Sequence, residues 1–165
     1  MQVALSPEEN STLRAGFDAQ SEAYEAFLRG SLASGIGSIS PESSSQAIAA
    51  FDRAIALDPN FAEAHARKAR AQLLGHWLAV GPRSLREDAR GSLARGLAAR
   101  ARQPGTLLAQ AYEYYLGDLD YTRADATLQQ ILARVPDHAE ALEGSGYVAR
   151  RDGRFDDAFR PSGAL

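Results

Sequence analysis

Two segments of this chain carry the same spacing of small and large apolar residues. In each, a small residue is followed four positions later by a large apolar residue, three further on by a second apolar residue, and five further on by proline. The copies are Ala47, Phe51, Ala54 and Pro59, and Ala124, Leu128, Ile131 and Pro136. Spacings of three and four place residues on one face of an α-helix. Because a single such unit cannot bury its apolar face alone, the repeat predicts stacked helices.

Helical spacing continues outside the two copies, for example at Leu108, Ala111, Tyr112 and Tyr115, and no sustained alternation indicates strands. We therefore predict an all-α fold of antiparallel helix pairs. Predicted helix starts have a capping residue followed three positions later by Glu or Gln, at Ser6, Ser43, Asn60, Ser84 and Asp137. Predicted helix ends have glycine, at Gly30, Gly75, Gly117 and Gly153.

The two copies resemble the second helix of the tetratricopeptide-repeat (TPR) family, and the segment from Ala141 to Ala158 resembles its first helix. One departure is Ser145, where the family has a large aliphatic residue. The resemblance implies a right-handed superhelix of antiparallel helix pairs. It implies about four units over residues 21–160, the last incomplete, after a helical lead-in over residues 1–20.

A narrower resemblance involves three segments, Leu5–Glu9, Glu22–Gly30 and Ser40–Glu42, which precede the Ala47 helix. They are similar to the TPR region that follows an amino-terminal domain in bacterial adenylate-cyclase-like and winged-helix regulatory proteins. This implies a non-catalytic protein-binding scaffold, the docking or sensory part of a larger bacterial signalling regulator, in the cytoplasm.

In the TPR family the first helix of each pair lines a concave groove, which implies a peptide-binding set in this chain. Its members are Arg67, Arg70, Gln110, Glu113, Glu143, Tyr147 and Arg150. The arginines suit an extended peptide with acidic or carboxylate groups. An ordinary solvated face is the alternative interpretation. The family's carboxylate clamp of Lys, Asn and Arg is absent, since the matching positions hold Ala66, Arg70, Gln110, Glu140 and Gly144.

Composition argues against other classes of function. A net charge of -3 offers no field for nucleic acid or an anionic membrane, and no apolar run is long enough for a membrane span. The chain has no cysteine, and His65, His76 and His138 lack acidic neighbours at ligand spacing, so we expect no metal, no cofactor and no enzymatic activity.

Two alternatives to peptide binding stay open. The first is self-association, in which a second copy covers Ala149 and Phe155 of the incomplete last unit. The second is a small ligand bound in the groove or in a predicted loop at Trp77, which tunes an attached catalytic domain.

Overall fold

A computed structural model describes residues 7–34, 40–79 and 82–154, with side chains from residue 19 onward. These residues form seven α-helices and one π-helix, and no β-strand occurs among them. The prediction of an all-α chain is thereby confirmed. The helices are α1 (Pro7–Ala33), α2 (Pro41–Leu57), α3 (Ala62–Trp77), α4 (Leu85–Arg100), α5 (Pro104–Tyr112), the π-helix (Glu113–Asp118), α6 (Tyr121–Leu132) and α7 (Ala139–Arg151).

The two repeat copies form the apolar interior of α2 and α6. Their small and large apolar members are at most 1% exposed, and the set comprises Ala47, Phe51, Ala54, Ala124, Leu128 and Ile131. Phe51 packs with Ala71 of α3, whereas Leu128 belongs to a larger cluster that extends from Leu73 of α3 to Val148 of α7. The repeat therefore marks the faces by which α2 and α6 join their neighbours.

Helices α2, α3 and α4 run antiparallel in turn. Gln72, late in α3, accepts a hydrogen bond from Ser92 in the middle of α4, whereas Gly96, later in α4, lies against Ala62 and His65 at the start of α3. The same reversal relates α2 to α3, because Ala54 clusters with Ala64 whereas Ala47 and Phe51 cluster with Ala71.

In contrast, α3, α5 and α7 run in the same direction. At the start of α5, Gly105 lies against the Glu63 carboxylate, and at its end the Tyr112 ring lies 4.8 Å below the Arg70 guanidinium. Helix α7 follows the same order, since its first turn pairs with the middle of α3 and its last residue, Arg151, lies over Trp77. The π-helix and α6 connect α5 to α7.

Several helix ends differ from the glycine-based predictions. Helix α1 continues through Gly30 to Ala33, and Gly30 provides space for the Phe51 ring, because a Cβ there would lie 2.6 Å from Phe51 Cε1. Gly75 lies inside α3 and Gly117 inside the π-helix, so neither ends an α-helix. Gly153 alone among the described glycines has a left-handed φ, of 78°.

Of the predicted helix starts, Ser84 is the N-cap residue of α4, three others differ from the observed cap residues, and Ser6 lies outside the described residues. Helix α2 starts earlier than predicted, with a capping box between Ser40 and Ser43. Phe61 caps α3 without a side-chain hydrogen bond, and Ser84 precedes α4 without making one. At α7 the His138 ring, rather than Asp137, accepts from the Ala141 amide.

One predicted domain limit falls inside a helix, and the other falls outside the described residues. The boundary between residues 1–20 and 21–160 lies inside α1, which is one continuous helix. Residues 155–160, which include Phe155 and the rest of the incomplete unit, lie outside the described residues. Trp77, predicted in a loop, is the last residue of α3.

Candidate binding face

Three parallel helices contribute to one surface, which we call the α3–α5–α7 face. We define it by Arg67 and Arg70 of α3, Tyr112 of α5, and Glu140 and Tyr147 of α7. Arg70 connects all three helices, because it covers the Tyr112 ring and donates to Glu140. Gly105 of α5 leaves space for the Glu63 carboxylate of α3, which a Cβ at this position would overlap.

Glu140 holds the two arginines of α3. Arg67 donates from Nη1 and Nη2 to the two carboxylate oxygens at 2.8 and 3.0 Å, and Arg70 donates from Nη1 to Oε1 at 2.7 Å. These side chains are only 20–29% exposed. Two of the three arginines that the sequence suggested for an acidic partner, Arg67 and Arg70, are therefore already paired with carboxylates of the chain, and Arg67 pairs with Glu63 as well. The sequence places Glu140 at a capping-box position and at one of the clamp positions, and it does not indicate this pairing.

The charge state of Glu140 follows from this setting. Burial raises the pKa of the carboxyl group, but the charges and hydrogen bonds of Arg70 and Arg67 lower it by more, so the pKa lies below its ordinary 4.5. Glu140 is therefore ionised at neutral pH, and the bridge joins full charges. The contact ties α7 to α3 across α5.

Tyr112 of α5 belongs to the face, although the predicted peptide-binding set does not contain it. Burial raises the pKa of its phenol, as do the carboxylates of Glu143 and Glu140, whereas Arg70 lowers it. The ring lies 4.8 Å from the Arg70 guanidinium of α3, and its phenol is close enough to both acids of α7 for their charges to affect its pKa. The structure thus brings together five of the predicted residues, namely Arg67, Arg70, Glu143, Tyr147 and Arg150.

Tyr147 and Glu143 give a testable titration. The phenol donates a hydrogen bond to the Glu143 carboxylate, which raises the pKa of Tyr147 to about 12. We expect the Glu143→Gln variant to return this pKa toward the ordinary value of 10. The measurement is an ultraviolet titration of tyrosinate, with Tyr147→Phe identifying the signal among the six tyrosines. If the signal that Tyr147→Phe removes titrates at the same pH in Glu143→Gln as in the wild type, the assignment is contradicted.

Two predicted groove residues make their contacts elsewhere. Glu113 is buried, and its Oε1 accepts from Arg90 Nε of α4 at 2.6 Å. Arg90 also donates to Asp118 at the end of the π-helix, so these groups join α4 to the π-helix. Gln110 donates to the Tyr114 hydroxyl at 3.4 Å, and that ring packs under Arg123 of α6.

A further aromatic group lies beside the face at the carboxyl-terminal ends of α3 and α7. The Arg151 guanidinium lies 5.5 Å from the centre of the Trp77 ring, and the Arg150 guanidinium lies 5.7 Å from that of Tyr147. Arg150 belongs to the predicted peptide-binding set, whereas Trp77 belongs to a separate predicted loop. The spacing of Tyr147 and Arg151, one helical turn apart, puts both on one side of α7.

Neither the family models nor the curated proteins contain a match to this chain. Within the described residues, no group of three acidic or histidine side chains is placed to hold a metal ion. None of the described helices combines the length and apolar character that crossing a membrane requires.

Proposed function

We propose that the chain is a TPR-like superhelical module that binds protein segments on the α3–α5–α7 face and catalyses no reaction. The proposal includes its role as the docking or sensory part of a larger bacterial signalling regulator in the cytoplasm. The family resemblance at the Ala47 and Ala124 copies supports the repeat assignment. The arrangement of the helices supports the assignment of the binding surface.

The observation that carries the proposal is the parallel alignment of α3, α5 and α7. In stacked helix pairs, one helix of every pair contributes to a common extended surface. Here the alternate helices share the contacts of Arg70 with Tyr112 and Glu140. The face also carries aromatic and arginine side chains, which are enriched in the parts of interfaces that contribute most to affinity.

The test is selection from a display library of random short peptides. We expect the wild type to enrich peptides and the Tyr147→Ala, Glu143→Ala variant to lose at least tenfold in affinity for them, because it removes an aromatic contact from the face. The matched control is Gln129→Ala, Gln130→Ala, two exposed positions on α6.

The control variant should bind the selected peptides like the wild type. Circular dichroism should first show that both variants keep their helices. Failure to enrich any peptide, or equal losses in the two variants, would count against the proposed function.

Self-association is a second candidate, favoured by a specific surface on α1. Tyr24, Leu28 and Leu32 follow one another at spacings of four and are 55%, 43% and 79% exposed. Such an apolar stripe on one helix face can pair with another chain. Light scattering over a range of concentrations is the measurement, with Leu28→Glu, Leu32→Glu as the comparison. A monomer at every concentration would exclude this candidate.

A small ligand is less well supported than a protein segment. An open cavity between α1 and the α2–α3 connection is lined by Gln20, Ser21, Ala23, Tyr24, Asp58 and Phe61. It lies on other elements than the α3–α5–α7 face, and its wide opening differs from the enclosed pockets that bury most of a small ligand.

A further inference from the structure

The carboxyl-terminal ends of α3 and α7 present an exposed indole beside an arginine. Trp77 is 46% exposed although it is a large apolar side chain at the end of a packed helix. Arg151 covers part of its ring at 5.5 Å. A guanidinium stacked in this way has less rotamer freedom to lose when its N–H groups bind a ligand.

Among the described arginines of this surface, those without an ion pair lie at this end. Arg67 and Arg70 are paired with Glu140, whereas the described structure gives Arg150 and Arg151 no ion pair. Both are exposed in the last turn of α7. The nearby Asp152 accepts from Arg154 at 3.0 Å, so its carboxylate is engaged with a different arginine.

We propose that Trp77, Arg150 and Arg151 form a docking site for an acidic protein segment. The segment places a carboxylate on the arginines and an apolar side chain against the exposed part of Trp77. This inference rests on the proposed protein-binding function and names the class of partner. Arginine forks bind carboxylates through two parallel hydrogen bonds, and tryptophan supplies apolar contact area at small cost in side-chain entropy.

A nucleic acid fits this site less well, although an indole can stack on a base. Binding to a phosphate backbone depends on a row of cations along the strand. Among the described residues, this end of the surface offers two cations without ion pairs, and Glu143 lies about two turns before both on α7.

Trp77 makes the site directly observable, because it is the only tryptophan in the chain. Peptides selected from the random display library are titrated while indole fluorescence is recorded. We expect the selected peptides to be rich in Asp and Glu beside an apolar residue, and to change the emission of Trp77 as they bind. Affinity should fall as salt is added, since the contact joins opposite charges.

The decisive variant is Arg150→Gln, Arg151→Gln, which removes the charges and leaves Trp77 in place to report binding. We expect Kd to rise at least tenfold, the usual scale for losing charged hydrogen bonds. The matched control is Arg95→Gln, Arg100→Gln, which changes net charge equally at exposed positions of α4. The control should bind the peptides like the wild type.

The inference fails if the selected peptides lack acidic residues, or if the two arginine variants bind equally. The proposed function survives either result, because peptides of other chemistry would still occupy the face. If no peptide is enriched, both fail. A short oligothymidylate that changes Trp77 emission at lower concentration than the acidic peptides would assign the site to nucleic acid and overturn the inference.

Discussion

Replacing Phe51 with alanine is expected to lower the free energy of unfolding by about 3–5 kcal/mol, the usual cost of emptying a buried aromatic site. The ring is completely buried and lies 6.0 Å, centre to centre, from the ring of Phe27 on α1. Gly30 also packs directly on it, so the ring joins α1 to α2 and α3. Urea unfolding followed by circular dichroism measures the loss.

The matched control for Phe51 is Leu32→Ala on α1. Leu32 is 79% exposed, so its truncation should change stability by less than about 0.5 kcal/mol. If Phe51→Ala costs no more than this control, the packing of α1 on α2 and α3 is not as described.

Glu140→Ala is expected to lower the free energy of unfolding by about 2 kcal/mol. Fully buried pairs lose roughly 3–5 kcal/mol when one partner is removed, and partial exposure reduces that figure here. The variant leaves Arg70 without its ion-pair partner and leaves Arg67 paired with Glu63 alone. The matched control is Glu25→Ala, which breaks the exposed pair with Arg29 and should cost less than about 0.5 kcal/mol.

The same bridge gives a pH dependence with a definite sign. Because the folded pKa of Glu140 lies below its ordinary 4.5, its stabilisation is present above pH 4.5 and is lost as the pH falls through the folded pKa. The stability difference between the wild type and Glu140→Gln should therefore be largest near neutral pH and shrink in acid. A difference that is constant with pH would contradict the ionised bridge.

The repeat predicted the core because it depends on local geometry. Phe51 and Leu128 are buried for the same reason, since the spacing of four and three that defines each copy is the spacing of one helix face. The all-α class follows from the same periodicity. The spacing of apolar residues over a few helical turns is therefore enough to predict both the buried positions and the helical class.

The charge pattern of the face could not be predicted in this way. The bridge from Arg67 to Glu140 joins residues that are distant in sequence, and nothing local distinguishes Glu140 from a carboxylate that caps a helix. Tyr112, the last residue of α5, faces α3, whereas Glu113, the first residue of the π-helix, does not. Adjacent helical positions differ by about 100° in direction. An error of one residue in the predicted helical register therefore replaces Tyr112, which lies on the face, with Glu113, which contacts α4.

The helix ends show a similar dependence on tertiary contact. Gly30 is a favourable stop in isolation, yet α1 passes through it because only glycine leaves space for the Phe51 ring. Trp77 extends α3 past Gly75, and its contact with Arg151 of α7 depends on a helix that comes much later in the chain. The residues next to Gly30 and Gly75 in the sequence indicate neither the contact with Phe51 nor the contact with Arg151.

We expect protein segments to bind the face that α3, α5 and α7 share. The most direct measurement is a nuclear magnetic resonance titration of the protein with a peptide selected from the display library. We predict that the perturbed signals will cluster on α3, α5 and α7 and include Tyr112, Tyr147 and the indole N–H of Trp77. Perturbations confined to α1 or to the outer surfaces of α4 and α6 would contradict the account.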